Sequence, residues 1–326
     1  MNISKPEIIC IGEVLVEIMR PAAGQPLDQP GEFRGPFASG APAIFATAAA
    51  RLGLKTGFIG AVGADAFGRL MRNCFEAEGV DASQLQTPSS YATGVAFVAY
   101  DDSGGREFVF HIRHAAAGQL AADQIPAAYF ENVKWLHISG STLALNTNSR
   151  TACQRALELT LAQGGKISLD PNLRLELMPL DEFRRVLAPF LDSADLLLPT
   201  ESEAQRLTDE TDPRRATQKL AHKPGAIIVL KRGPQGCAIF QDGERLDISG
   251  FAVEEIDPTG AGDCFSAAFI AGLQASWPLK QVGRFANAAG ALAVTKLGPM
   301  EGAPTIQQVE ILLTAEIAKN AEQKYH

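Results

Sequence analysis

The sequence predicts an α/β fold built on a mainly parallel sheet, with a second, smaller sheet beside it. Short continuous apolar runs such as Ile8–Ile11 recur along the chain, the pattern of strands buried on both faces. Between them lie helical segments of about 10–15 residues, so the runs should join as βαβ units. One stretch, Thr93–Arg113, breaks the alternation and reads as a hairpin. The 326 residues show no repeat, linker or low-complexity tract. They are therefore expected to form one unit over 1–326, with a lid inserted from about 14–36 and 91–114.

The elements follow in order. Ile8–Ile11 is the first strand. Ala43–Leu52 is an Ala-rich helix ended by Gly53, Thr56–Val62 a strand, and Phe67–Glu78 a helix stopped by Gly79. Thr93–Tyr100 and Glu107–Arg113 are extended runs joined by Asp101-Asp102-Ser103-Gly104-Gly105, a Gly-containing turn. In the second run Phe108, Phe110 and Ile112 share one face. Glu107, Val109, His111 and Arg113 share the other, which faces either a ligand or solvent. Val14–Met19 and the Pro/Gly-rich Pro21–Pro36 are candidates for further strands of this small sheet. Val133–Ser139, Lys166–Asp170, Leu196–Pro199 and Ala226–Leu230 are strands, with Asn148–Gln163 and further helices between them. Ala261–Leu273 and Lys280–Leu297 close the series as helices.

Composition removes several function classes. Lys and Arg number 29 against 37 Asp and Glu, a net charge of −8 without a basic block, which argues against nucleic acid or an anionic membrane as partner. No apolar run approaches the ~20 residues of a membrane span. Met1-Asn2-Ile3-Ser4-Lys5-Pro6-Glu7 does not read as a signal peptide. The five cysteines are scattered, without a Cys-x-x-Cys pair, and read as reduced thiols of a cytoplasmic protein. His111 and His114 are poor metal partners, His137 reads as a core histidine, and Trp135 and Trp277 as packing residues. Gly164-Gly165-Lys166 is not a Walker loop, and Gly57–Gly63 is better explained by close packing than by a dinucleotide.

The segment Ile256-Asp257-Pro258-Thr259-Gly260-Ala261-Gly262-Asp263 carries the chemistry. A turn leads into small residues at a helix start, where unpaired N–H groups and the macrodipole favour an anion. Asp263 in the first turn either complements that dipole or takes a proton from an attacking hydroxyl.

This segment resembles the C-terminal signature of the ribokinase-like carbohydrate kinases, the PfkB family. Other segments resemble further family motifs in the family's order. Ser39-Gly40-Ala41-Pro42-Ala43 opens an Ala-rich helix, and Gly60-Ala61-Val62-Gly63-Ala64-Asp65-Ala66-Phe67-Gly68 follows. Asp170-Pro171-Asn172-Leu173-Arg174, Pro199-Thr200-Glu201-Ser202-Glu203 and Lys231-Arg232-Gly233-Pro234-Gln235-Gly236 complete the set. The resemblance implies a three-layer α/β/α sandwich with a small β-sheet lid, and transfer of the ATP γ-phosphate to a sugar hydroxyl. Asp263 would be the base, and Gly260, Ala261 and Gly262 the anion hole. Asn172, Thr200, Glu203, Lys231, Gly233, Gly236 and Asn287 would bind nucleotide, with Lys231–Gly236 and Asn287 near the adenosine. Glu203 would hold Mg²⁺ through water, and Asp257 would shape a monovalent-cation loop or simply form a turn. Glu17, Gly40, Ala41, Arg113, Arg174 and Asp263 would meet the sugar.

Three positions depart from the family pattern. Thr200 replaces an Asn, Ile44 another, and Glu17 stands for a substrate-binding Asp. Arg113 and Arg174 resemble the carboxylate clamp of 2-keto-3-deoxygluconate kinases, since the Arg fork suits a carboxylate. The Ser39–Phe45 run and the Gly298–Gly302 segment look closer to sugar kinases of the tagatose type. The acceptor is thus expected to be a ketohexose such as tagatose or fructose, or a keto-deoxy sugar acid. The alternative of another class is a catalytically silent binding protein. A homodimer through Phe108, Phe110 and Ile112 of the lid is a further expectation.

Overall fold

The computed structural model describes residues 5–102 and 105–322. Met1–Ser4 and the hairpin turn residues Ser103 and Gly104 lie outside the described residues. The chain runs β1 (Ile8–Ile11), β2 (Leu15–Met19), β3 (Arg34–Ser39), α1 (Ala41–Arg51), β4 (Thr56–Ala61), α2 (Ala66–Glu78) and β5 (Asp81–Gln86). It continues through β6 (Gly94–Tyr100), β7 (Arg106–His111), β8 (Trp135–Ser139), α3 (Gly140–Leu145), α4 (Thr147–Ala162) and β9 (Lys166–Asp170). Next come α5 (Leu180–Leu191), β10 (Leu196–Leu197), α6 (Glu201–Thr208), α7 (Pro213–Leu220), β11 (Ile227–Lys231), β12 (Cys237–Gln241) and β13 (Glu244–Ile248). The last three are α8 (Ala261–Gln274), α9 (Leu279–Ala293) and α10 (Ile306–Glu322).

The large sheet has nine strands in the order β13-β12-β11-β10-β9-β8-β1-β4-β5. From β11 to β5 every pairing is parallel, and the β11–β12 and β12–β13 pairings are antiparallel. β1 pairs with β8 on one side and β4 on the other, and all four of its residues are buried. The sheet separates two apolar clusters. One holds Phe45, Phe58, Phe75 and Phe269 under α1, α2, α8 and α9. The other holds Phe130, Phe183 and Leu187 under α4 and α5. Layers on both faces explain why the strands read as unbroken apolar runs.

The small sheet runs β3-β2-β6-β7, with β2 and β6 parallel and the outer pairs antiparallel. β2, β6 and β7 fall in the segments expected for the lid, β3 runs on to Ser39 past the expected end near 36, and residues 20–33 form no strand. The helix expected over Lys280–Leu297 already ends at Ala293.

His137 is buried, stacks on Phe45 at 3.7 Å and shares a hydrogen bond with Ser168 Oγ; burial pushes it down to about 3, so it is a neutral core residue. Trp135 packs in the core, and the five cysteines are free. A side chain at Gly57 would meet the Tyr129 hydroxyl, which accounts for that glycine by packing.

Candidate active site

The carboxyl ends of the parallel strands carry two adjoining cavities, where ligands of such sheets bind. The first, about 230 Å³, lies between the strand ends and the small sheet. The second, about 410 Å³, runs along α8 and α9. They share Arg106, Thr200, Lys231, Pro258 and Gly262. A ligand in one therefore meets a ligand in the other at the start of α8.

That helix start is made of backbone. Gly260 is its N-cap, with φ 80°, and no side chain caps the helix. A Cβ at Gly260 would stand 2.4 Å from the Pro299 carbonyl, so both conformation and space require glycine. The N–H groups of the first turn have no intrahelical partner and form the positive end of a 14-residue helix. Asp263 sits in this turn and lines the first cavity. Burial, then the nearby Asp170 carboxylate, push it up to about 8, against the pull of Lys231 and Arg174.

Lys231 leaves β11 and pairs with Asp170 at 2.5 Å, both being nearly enclosed. A Cβ on Gly262 would stand 3.4 Å from Lys231 Nζ, which places the ammonium beside the helix start. Lys231, expected near an adenosine, lines both cavities and lies at their junction. Gly233, Gly236 and Asn287 line the second cavity. Asn287 Nδ2 also donates to the Ile248 and Ser249 carbonyls, tying α9 to the end of β13.

Asp170 ends β9, and Asn172 follows with φ 36°, a left-handed conformation that Asn tolerates. This turn lets Asn172 N–H donate to Asp170 Oδ1 at 3.2 Å. Thr200 caps α6, and Glu203 completes a capping box. Glu203 accepts from Leu173 N at 2.8 Å, Thr200 N at 2.7 Å and Thr200 Oγ1 at 2.9 Å. Thr200 was expected only as a nucleotide contact; its hydroxyl also serves the helix. The T-x-x-E spacing signals this in the sequence, where the reading passed over it.

The other end of the first cavity is walled by Glu13, Glu17, Gly40, Ala41 and Arg174 and by β7. Glu17 is buried; Ser39 Oγ donates to its Oε2 at 3.1 Å, and Oε1 has no partner. Burial and then Asp257 push Glu17 up to about 7. Glu13, absent from the sequence reading, accepts from Ser141 Oγ at 2.6 Å and from Thr142.

In β7 and just after it, Phe108, Phe110 and Ile112 line the cavity, so the apolar face looks inward, together with Arg106. Glu107, Val109 and His111 on the other face are exposed, so of the two facings left open for that face the solvent one holds. Arg113, two residues beyond β7 and exposed, does not line the cavity and donates to the Leu177 carbonyl. The three apolar residues expected at a dimer contact thus border the cavity. Asp257 is buried in a web: it accepts from Tyr100 Oη at 2.7 Å, Thr259 N at 2.9 Å and Gly298 N at 2.9 Å. The bond to Thr259 N, two residues on, is that of a turn-forming Asp.

The family model of the pfkB family carbohydrate kinases matches residues 5–306. The chain belongs to that family. Among its relatives, a fructokinase of Vibrio alginolyticus is 34% identical, with 92% of this chain and 96% of that one aligned. A structure from Escherichia coli, provisionally named Ribokinase II and solved with ATP and Mg²⁺, superposes with a TM-score of 0.89 at 39% identity, covering 95% of this chain and 99% of the other. A Vibrio cholerae fructokinase double mutant, solved with fructose, ADP and potassium, gives 0.84 at 30%, covering 95% and 99%. The ribokinase-like fold expected from the motifs is therefore the fold of this kinase. Among the described residues no helix is long and apolar enough to cross a membrane.

Proposed function

We propose that this ATP-dependent carbohydrate kinase phosphorylates a neutral ketohexose, with fructose as the first acceptor to test. The observation that carries the reading is the meeting of the two cavities at Gly262, beside a carboxyl group whose proton affinity suits a base near neutral pH. ATP lies in the second cavity along Gly233, Gly236 and Asn287, with its terminal phosphate at the α8 start. The sugar lies in the first, against Glu17, Gly40, Ala41 and Arg174.

Asp263 takes the proton of the attacking hydroxyl. The amides of Gly260, Ala261 and Gly262 hold the charge of the transferring phosphoryl group, with Lys231 and Asn172 beside it. Such transfer needs mainly positioning and charge stabilisation, and these groups are fixed before the substrates arrive. The residues fit Mg²⁺ held by phosphates and water rather than by a protein cage, since Glu203 already accepts three hydrogen bonds and only its remaining lone pairs face outward. When bound, Mg²⁺ neutralises phosphate charge. The small sheet acts as the cover that keeps water out, and the free cysteines fit a reducing compartment such as the cytoplasm.

The supply of hydrogen-bonding groups for sugar hydroxyls favours the neutral acceptor. Glu13, Glu17, Asp170, Glu203 and Asp263 line the first cavity against Arg106, Arg174 and Lys231, so carboxyls outnumber cations five to three. The unpartnered Oε1 of Glu17 is a ready acceptor for a sugar hydroxyl. A second reading, a keto-deoxy sugar acid, draws on Arg106 and Arg174 facing the same space. ADP release with fructose, tagatose and 2-keto-3-deoxygluconate, each in the presence of ATP and Mg²⁺, decides between them. The highest kcat/KM is expected with a ketohexose. A preference for the sugar acid would replace this reading with the second. A sugar-induced rise in Tm without turnover would instead make the protein a sensor.

A further inference from the structure

Glu13 is a buried carboxyl that the proposed reaction does not use, yet it ends a line of hydrogen bonds across the strand ends that passes through Asn172 from side chain to main chain. Ser141 Oγ donates to Glu13 Oε1 at 2.6 Å, and Ser139 Oγ lies 2.7 Å from Ser141 Oγ. Asn172 Nδ2 donates to Ser139 Oγ at 3.2 Å. The Asn172 main-chain N–H donates to Asp170 Oδ1 at 3.2 Å, and Lys231 Nζ donates to Asp170 Oδ2 at 2.5 Å. The line crosses the chain from the end of β1 to the end of β11, passing through β8 and β9.

Its direction is fixed by chemistry. A hydroxyl has one proton, and that of Ser141 is committed to Glu13, so Ser139 must donate to Ser141. Ser139 is then free to accept from Asn172, which pins the Asn172 amide with its NH₂ toward Ser139. Every proton between Asn172 and Glu13 points the same way, and Glu13 accepts at both oxygens because Thr142 holds the other. An amide in place of this carboxylate would present an NH₂ to Ser141 or Thr142 and force a hydroxyl to turn.

We infer that Glu13 is a positioning residue, which acts through Ser141, Ser139 and Asn172 to hold the Asp170–Lys231 pair with its ammonium beside Gly262. The inference rests on the reading of Gly262 as the phosphate position. Hydrogen bonds in a shared low-dielectric chain polarise one another, so the two ends are coupled more strongly than the separate contacts suggest. Ser139 offers a clean test, since it is buried in the chain and lines neither cavity.

Glu13→Gln, Ser139→Ala and the double variant should be compared with the parent in sugar phosphorylation and, without sugar, in calorimetric binding of Mg–ATP. Each single change is expected to lower kcat by about tenfold to a hundredfold, the scale of a small misplacement of reacting groups, with the sugar KM within about threefold of the parent. Mg–ATP binding should weaken in the same order. The double variant should be hardly worse than either single one, as for residues acting in one line. Additive losses would overturn the inference. So would a raised sugar KM at unchanged kcat in Glu13→Gln, which would make Glu13 a sugar ligand. Should Glu13→Gln fail to fold, Ser139→Ala decides alone: unchanged kcat and unchanged Mg–ATP binding would reject the line. Should the parent phosphorylate no sugar, the functional reading fails, while nucleotide binding still tests the line.

Discussion

The two ends of the first cavity are built differently. The α8 end is local and made of main chain: Gly260, Gly262 and Asp263 lie within one turn, and their geometry follows from a glycine cap and a helix start. The small-sheet end is assembled from side chains that are distant in sequence. Glu17 comes from β2, Arg106 and Phe108 from β7, and Arg174 from the loop after β9. Holding a phosphate can rest on backbone, which tolerates drift in side chains. Recognition of one acceptor needs side chains, and these can be exchanged without disturbing the helix start.

The sharpest test of this division is Asp263→Asn. It should lower kcat by about 10²–10⁴, the usual worth of a general base, and leave the sugar KM nearly unchanged. The free enzyme's kcat/KM should rise with pH to a plateau above about 8, because the base must lose its proton first. Stability should move the other way. The folded-state value lies above the ordinary 3.8, so the folded protein keeps a proton that the unfolded chain gives up. Between about 4 and 8 Asp263 therefore costs stability as pH rises, and the Asn variant should melt no lower than the parent at pH 8 in a thermal scan. A large drop in Tm would show Asp263 to be structural.

Gly260→Ala probes the same end through its backbone. The left-handed conformation alone costs about 1–2 kcal/mol for a residue with a Cβ, and the Pro299 carbonyl adds a clash. Both Tm and kcat should fall, and calorimetry alongside turnover reads both. At the other end, Arg174→Ala should raise the sugar KM by about tenfold, near the worth of one charged hydrogen bond, with a smaller effect on kcat. A selective loss in kcat would erase the proposed boundary between the two ends. The smallest effect is expected for Arg113→Ala. Exposed and outside the cavity lining, it should change kcat and KM by less than about twofold, as surface positions do. A tenfold rise in KM there would return Arg113 to the sugar.

The same contrast governs what the sequence reveals. The parallel sheet was legible because strands buried on both faces cannot hide their apolar runs, as in Ile8–Ile11 and Ala226–Leu230. The helix-start site was legible because its residues are contiguous. The edge strands were not. β5 is half exposed and polar, with Asp81, Ser83 and Gln84, and reads as loop. β12 and β13 were missed although Asp242-Gly243 between them is a hairpin signal, with φ values of 50° and 83°. For β7 the period of two was visible, but which face meets the cavity depends on the approach of β1, β9 and α8. The pairing of Lys231 with Asp170 was not legible for a similar reason, since its motif fixes a loop and not the direction of a long side chain. Glu13 escaped because nothing near it in sequence foretells Ser139 and Ser141.

The cover sheet joins the body at several crossings, and at the one where β3 ends at Ser39 and α1 begins at Ala41 the connection is a single residue. That residue, Gly40, has φ 110°, and a Cβ there would meet the Glu13 carbonyl at 2.6 Å. Mechanically it is a hinge pin without slack. Tilting of the cover at β3 is passed through this one joint to the first turn of α1, which itself borders the sugar space, so the roof and part of the floor turn together.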